Sequence, residues 1–125
     1  MATLSNTKRG ILIQEKSFEF AVSVVKYYKQ LKTQNEYAIA NQLLRSGTSV
    51  GANVGEDLGG YSKKDFINKM TIALKEARES KYWLRLIYES DIDKNVSELL
   101  ANASSLVNIL SKIVKTSKEI QNNTD

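Results

Sequence analysis

Proline, cysteine and histidine are all missing from this chain of 125 residues, and each absence closes off a class of chemistry. Without proline, nothing interrupts long helices. Without cysteine, neither a disulfide scaffold nor a thiolate metal site can form. Histidine is the commonest metal ligand and the commonest general base near neutral pH, and bundle di-iron sites need Glu-x-x-His pairs. Long apolar runs are missing too, since no stretch approaches the roughly 20 residues of a membrane helix. The N-terminal MATLSNTKRG has no apolar signal core, so a cytoplasmic protein is expected. Neither sign of charge dominates: 18 Lys and Arg stand against 14 Asp and Glu, a net charge of +4. That balance permits an anionic partner without demanding one.

What is present has the composition of a soluble globular protein, 42% hydrophobic and 26% charged. Residues 1–125 are expected to form one domain, with termini frayed over about 1–9 and 120–125. Apolar spacing predicts a first helix from Ile11 to Lys32, with a stripe of Phe18, Ala21, Val25 and Tyr28 widened by Val22, Val24 and Leu31. Thr33-Gln34-Asn35 is a polar link in which Asn35 is a candidate N-cap. A third helix runs from Lys63 to Glu89 on a seam of Phe66, Met70, Ala73, Ala77, Ser80, Leu84 and Ile87. After Ser90–Asp93, where Asp93 or Asn95 offers a cap, Val96, Leu99, Ala103, Leu106, Leu110 and Ile113 mark a fourth, with its tail fraying past Ile120. Four amphipathic helices with short links give an all-α fold, an antiparallel up-down-up-down four-helix bundle.

The second helix and the turn after it, residues 42–66, organise the chain. Gly47, Gly51 and Gly55 recur every fourth residue, although each helical glycine costs about 1 kcal/mol relative to alanine. Ile39, Leu43, Val50 and Val54 keep helical spacing across them, which predicts a helical small-residue ridge for close packing, with Ala73, Ala77 and Ser80 as its opposite surface. Gly59-Gly60 is the expected break. Ser62 has the character of an N-cap, with Asp65 at the capping-box position and Tyr61 and Phe66 as a hydrophobic staple.

Several polar groups are candidates for function. Arg45, Ser49, Asn53 and Glu56 lie along the second helix and are expected to join a hydrogen-bond network at an interhelical or intersubunit seam. Arg45, Lys63 and Lys64 at the second turn, and Lys26, Lys29 and Lys32 on the first helix, are the candidate phosphate-binding cations. On the third helix, Lys69, Lys75, Lys81 and Arg85 among Glu76, Glu79 and Glu89 suit a solvated face with i, i+4 pairs. Trp83 belongs near the core edge, while Tyr82 and Tyr88 sit among cations. Nothing places a base beside Ser46 or Ser49 for nucleophilic catalysis. No enzyme, cofactor or metal is expected.

The run LLRSGTSVGANVGEDLGGYSKKDFINKMTIALKEARESKYWL, with EKSFEFAVSVVKYYKQL before it, resembles the 23S rRNA intervening-sequence protein family, over roughly residues 11–118. The specific segment is RS-x-TS-x-GAN-x-x-E, Arg45 to Glu56, followed by Ser62, Lys63, Lys64 and Phe66. At Asp57-Leu58-Gly59-Gly60 relatives often have a shorter, small or basic turn. The resemblance implies a small bacterial antiparallel bundle assembling into a homopentameric ring. A distant branch resembles accessory proteins of diversity-generating retroelements, which bind nucleic acid and a reverse transcriptase. Two functions follow as expectations: a nucleic-acid-associated oligomer contacting structured RNA, or a protein–protein adaptor without nucleic-acid affinity.

Overall fold

The computed structural model describes residues 8–55 and 62–124, as helices α1 (Lys8–Thr33), α2 (Tyr37–Val54), α3 (Lys63–Glu89) and α4 (Ser97–Thr124). Successive helices pack side by side and α4 returns to α1. Val24 lies against Gly47, and Ser17, earlier in α1, lies against Gly51, later in α2, so the pair is antiparallel. The expected four-helix bundle is the fold.

Local devices set the helix ends. Ser62 caps α3, its Oγ accepting from the Asp65 N–H at 3.2 Å, as expected. Asn35 is not the N-cap of α2. It takes φ 63° just past the end of α1, where its N–H donates to the Lys32 carbonyl and the Glu36 N–H donates to Leu31. That pair of bonds is a Schellman motif, which requires a left-handed residue, and asparagine adopts that conformation more readily than most. Asp91 repeats the device after α3, with φ 62° and the Ile92 N–H donating to Ile87. Asp93 ties the following link together, with Oδ1 accepting from the Asn95 N–H at 2.8 Å. Its Oδ2 accepts from the Tyr27 hydroxyl at 2.9 Å. Burial and the Asp93 carboxylate both push the Tyr27 phenol well above its ordinary range. At the opposite end α2 stops at Val54 with Gly55 at φ 74°, so Gly55 is a terminus and not the third helical step of the ridge. The expected break at Gly59-Gly60, and the staple residue Tyr61, lie outside the described residues. α4 continues to Thr124, beyond the expected fraying point at Ile120.

The register of α1 differs from the expectation. Ile13, Ser17, Phe20, Val24, Tyr27 and Leu31 face the core, whereas Phe18 is 68% exposed and Val22 and Val25 are exposed beside it. This helix carries two apolar stripes. The buried one includes a serine and a tyrosine, so periodicity of apolar residues alone favoured the other. Ser17 is accommodated because its Oγ donates to the Gln14 carbonyl at 3.2 Å. In α2 the buried residues are Ala40, Leu43, Ser46, Gly47, Val50 and Val54. In α3 the expected seam is buried from Met70 to Ile87, with Phe66 only half-buried. Val96, just before α4, and Ala103, Leu106, Leu110 and Ile113 within it complete the core.

Candidate nucleic-acid interface

The glycine ridge determines how α2 presents its side chains. Gly47 and Gly51 are helical and packed tightly, but against α1 and not against Ala73, Ala77 and Ser80. A Cβ on Gly47 would sit 2.8 and 2.9 Å from the Val24 methyls, and one on Gly51 would sit 3.3 Å from the Ser17 carbonyl oxygen. With the ridge turned to α1, α2 meets α3 through its next face. There the Ser80 Oγ donates to the Ser46 Oγ at 3.0 Å within the buried seam.

Arg45 lies one residue before Ser46 and therefore reaches α3 at the rim of that seam. Its Nη1 donates to Glu76 Oε2 at 3.1 Å, and its Nη2 donates to Glu79 Oε2. Trp83 Nε1 donates to the same Glu79 oxygen at 3.1 Å. The Arg45 side chain is half exposed while that of Glu76 is only 12% exposed, so the cluster is partly screened from water and its bonds are charge-assisted. The expected interhelical network is thus present around Arg45, with partners that no local pattern signals, since they stand 31 and 34 residues away. Ser49 and Asn53 do not join it. The Ser49 Oγ donates to the Arg45 carbonyl at 2.6 Å and the Asn53 Nδ2 to the Ser49 carbonyl at 2.8 Å, both within α2. Glu56 lies outside the described residues.

The candidate cations fall into separate places. Lys63 and Lys64 are exposed in the first turn of α3, where the positive end of the helix dipole disfavours them by about 0.3–1 kcal/mol each. Antiparallel packing brings the C-terminal end of α4 to the same end of the bundle, with exposed Lys112, Lys115 and Lys118. Lys26, Lys29 and Lys32 are exposed at the other end, in the last turns of α1, and the Lys32 ammonium lies 5.3 Å over the Tyr28 ring. About 1.5 Å of rise per residue along α1 separates the two ends by more than 30 Å. Arg45, occupied by two glutamates midway along the bundle, sits apart from both clusters. The expected i, i+4 pairing on α3 does not form: Arg45 holds Glu76 and Glu79, and the one other ion pair among the described residues joins Lys94 to Asp91 at 3.0 Å.

A groove of about 610 Å³ runs between α1 and α2, lined by Phe18, Ala21, Thr48, Gly51, Ala52 and their neighbours. Of its lining hydroxyls, Ser17 donates to the Gln14 carbonyl and Thr48 to the Leu44 carbonyl. Among the described residues, no three or more carboxylates gather where a metal ion would be held, and no helix is long and apolar enough to cross a membrane.

The family model described as 23S rRNA-intervening sequence protein matches residues 9–118. A solved structure described as a protein with unknown function from the S23 ribosomal protein family, from Bacteroides thetaiotaomicron, is 39% identical, with a TM-score of 0.80. The similarity covers 86% of this chain and 98% of that one. No curated protein shows significant similarity to the sequence. The family match spans nearly the whole bundle, including the Arg45 cluster and the capped start of α3, and the chain belongs to the 23S rRNA-intervening sequence protein family.

Proposed function

We propose that this protein is a non-enzymatic, self-associating helical bundle that contacts structured RNA through basic surfaces repeated around a homo-oligomeric ring. The observation that carries the reading is Lys63 and Lys64. Two adjacent cations stand exposed at a helix N-terminus, where the dipole opposes them and, among the described residues, no carboxylate pairs with them. A purely structural sequence gains nothing from cations there, whereas a phosphate backbone does. One bundle with a net charge of +4 binds weakly at physiological salt. A ring, pentameric in the form expected for this family, multiplies the contact without altering it. Self-association is supported by the second apolar stripe of α1, where Phe18, Val22 and Val25 remain exposed. The absence of histidine and cysteine supports a non-catalytic role.

The exposed α1 stripe and its groove also favour a second reading, a scaffold that grips another protein and has no affinity for nucleic acid. One experiment separates the two. Oligomer mass and affinity for a structured RNA are measured together for wild type and Lys63→Glu/Lys64→Glu. The RNA reading expects an intact oligomer, weaker binding, and a plot of log affinity against log salt that is shallower by about two. Wild-type protein that ignores RNA at low salt would leave the scaffold reading standing.

A further inference from the structure

The outward face of α3 carries a line of cations. Lys64, Lys75, Arg78, Tyr82 and Arg85 are all exposed, with exposed Asn68 and Thr71 filling the gap. Their spacing alternates by fours and threes, so they form a single stripe directed away from the buried seam. At about 1.5 Å per residue it extends for about 31 Å.

Two features distinguish this stripe from an ordinary solvated face. First, it is unneutralised. Lys64, Lys75, Arg78 and Arg85 make no ion pair among the described residues, and Glu79, which stands four residues after Lys75 and so has the spacing to pair with it, is held on the α2 side by Arg45. Second, an aromatic ring is fixed within it. Tyr82 is 58% exposed yet packs at 75° against Trp83 with centroids 5.0 Å apart, and Trp83 is anchored through its indole N–H to Glu79. Arg45 thus withdraws the Glu79 carboxylate from the stripe and, through Glu79 and Trp83, positions Tyr82. The diagonal helix α1 exposes Phe18, Val22 and Val25 with Glu15 and Glu19 among them, so α3 is the long face of the bundle suited to a polyanion.

Resting on the RNA reading above, we propose that the outer face of α3 is a track for an unpaired stretch of RNA. Phosphates follow Lys64, Lys75, Arg78 and Arg85, and one base stacks on Tyr82. Cations spaced along a rod match the charge of a polynucleotide, and an exposed ring among them provides a sequence-tolerant stacking platform. An unpaired segment fits better than a duplex because bases within a duplex have no free face.

The test is fluorescence anisotropy of the full-length protein with a labelled oligoadenylate and with an RNA duplex of equal length, over a salt series. Lys75→Glu/Arg78→Glu is expected to weaken oligoadenylate binding at least tenfold, and Lys75→Gln/Arg78→Gln to flatten the salt dependence by about 1.4, at about 0.7 per contact on a single strand. Tyr82→Ala is expected to lower oligoadenylate affinity about fivefold or more and to leave duplex affinity within twofold. Circular dichroism matching wild type shows that these surface variants fold. If the Lys75/Arg78 variants bind as wild type does while Lys63→Glu/Lys64→Glu fails, the track is overturned and the RNA reading stands. If Tyr82→Ala affects both RNAs equally, base stacking is overturned. If wild type binds neither RNA at low salt, both this proposal and the reading beneath it fall.

Discussion

Replacing Gly47 with alanine sets two well-characterised effects against each other. In an open helix the change stabilises by about 1 kcal/mol, because alanine loses less backbone entropy. Here the new methyl would meet both Val24 methyls at 2.8 and 2.9 Å and the Val24 Cβ at 3.2 Å. Val24 is fully buried and β-branched, so it has one strongly preferred rotamer in a helix. With both methyls already in contact, turning the side chain gives little relief, and α1 must move away from α2. Overpacking of this kind costs about 1–3 kcal/mol, which leaves a net loss of up to about 2 kcal/mol after the propensity gain. Urea unfolding should report that loss. Thermal unfolding should report roughly 3–5 °C per kcal/mol for a domain of this size. Val24→Ala supplies the control. It removes the two methyl carbons, at about 0.8 kcal/mol each in transfer energy, and only the 3.2 Å contact remains. In that background Gly47→Ala is expected to be neutral or stabilising, a coupling of about 1–3 kcal/mol. A Gly47→Ala protein more stable than wild type, or two substitutions whose effects simply add, would show that Val24 does not limit the space at Gly47.

Arg45→Gln should release Glu79 toward Lys75 on the α3 stripe and reduce oligoadenylate affinity severalfold, although Arg45 is not itself on that stripe. Adding Glu79→Gln should restore it, and failure of that rescue in the anisotropy assay would show that Arg45 does not act by holding this carboxylate. Tyr27 makes a pH prediction. Its folded phenol titrates above its ordinary value near 10, so the unfolded chain loses this proton first and stability falls as pH rises past about 10, by up to about 1.4 kcal/mol per pH unit. Tyr27→Phe should remove that part of the alkaline slope and cost about 1 kcal/mol at neutral pH; a slope identical to wild type in urea titrations above pH 10 would be the contrary result.

Much of this architecture is written in the sequence where one residue can act only one way. The Ser62 cap depends on a hydroxyl three residues from an N–H, and the α3 seam has one apolar face, so both are legible. The first helix has two apolar faces, and only the shape of its neighbours selects the one containing Ser17 and Tyr27. The glycines announce a close approach without naming the partner: a missing side chain suits either neighbouring helix, and Val24 turns out to fill the space. Gly55 and Asn35 show a related ambiguity. Glycine suits both a close-packed helix and its left-handed end, and asparagine suits both a helix start and a helix stop. For the candidate site, Lys63 and Lys64 are legible as the cations that follow the Ser62 cap in the family motif, whereas nothing local separates Arg45 from them. Its partners lie across a helical hairpin, beyond the range of any local spacing rule.

The Tyr27 hydroxyl and Asp93 carboxylate also bear on how the chain comes together during synthesis. The α1–α2 pair closes over neighbouring sequence and can form early on the ribosome, which makes it a local, fast element. Tyr27, however, lies in that early pair with an acceptor 66 residues downstream. Until the link after α3 emerges, its hydroxyl must find a partner in water, and its ring lacks part of the wall that will bury it. The nascent hairpin therefore waits with an open seam for α4, and chains truncated before Asp93 should be drawn to chaperones or to one another while those ending beyond α4 are not.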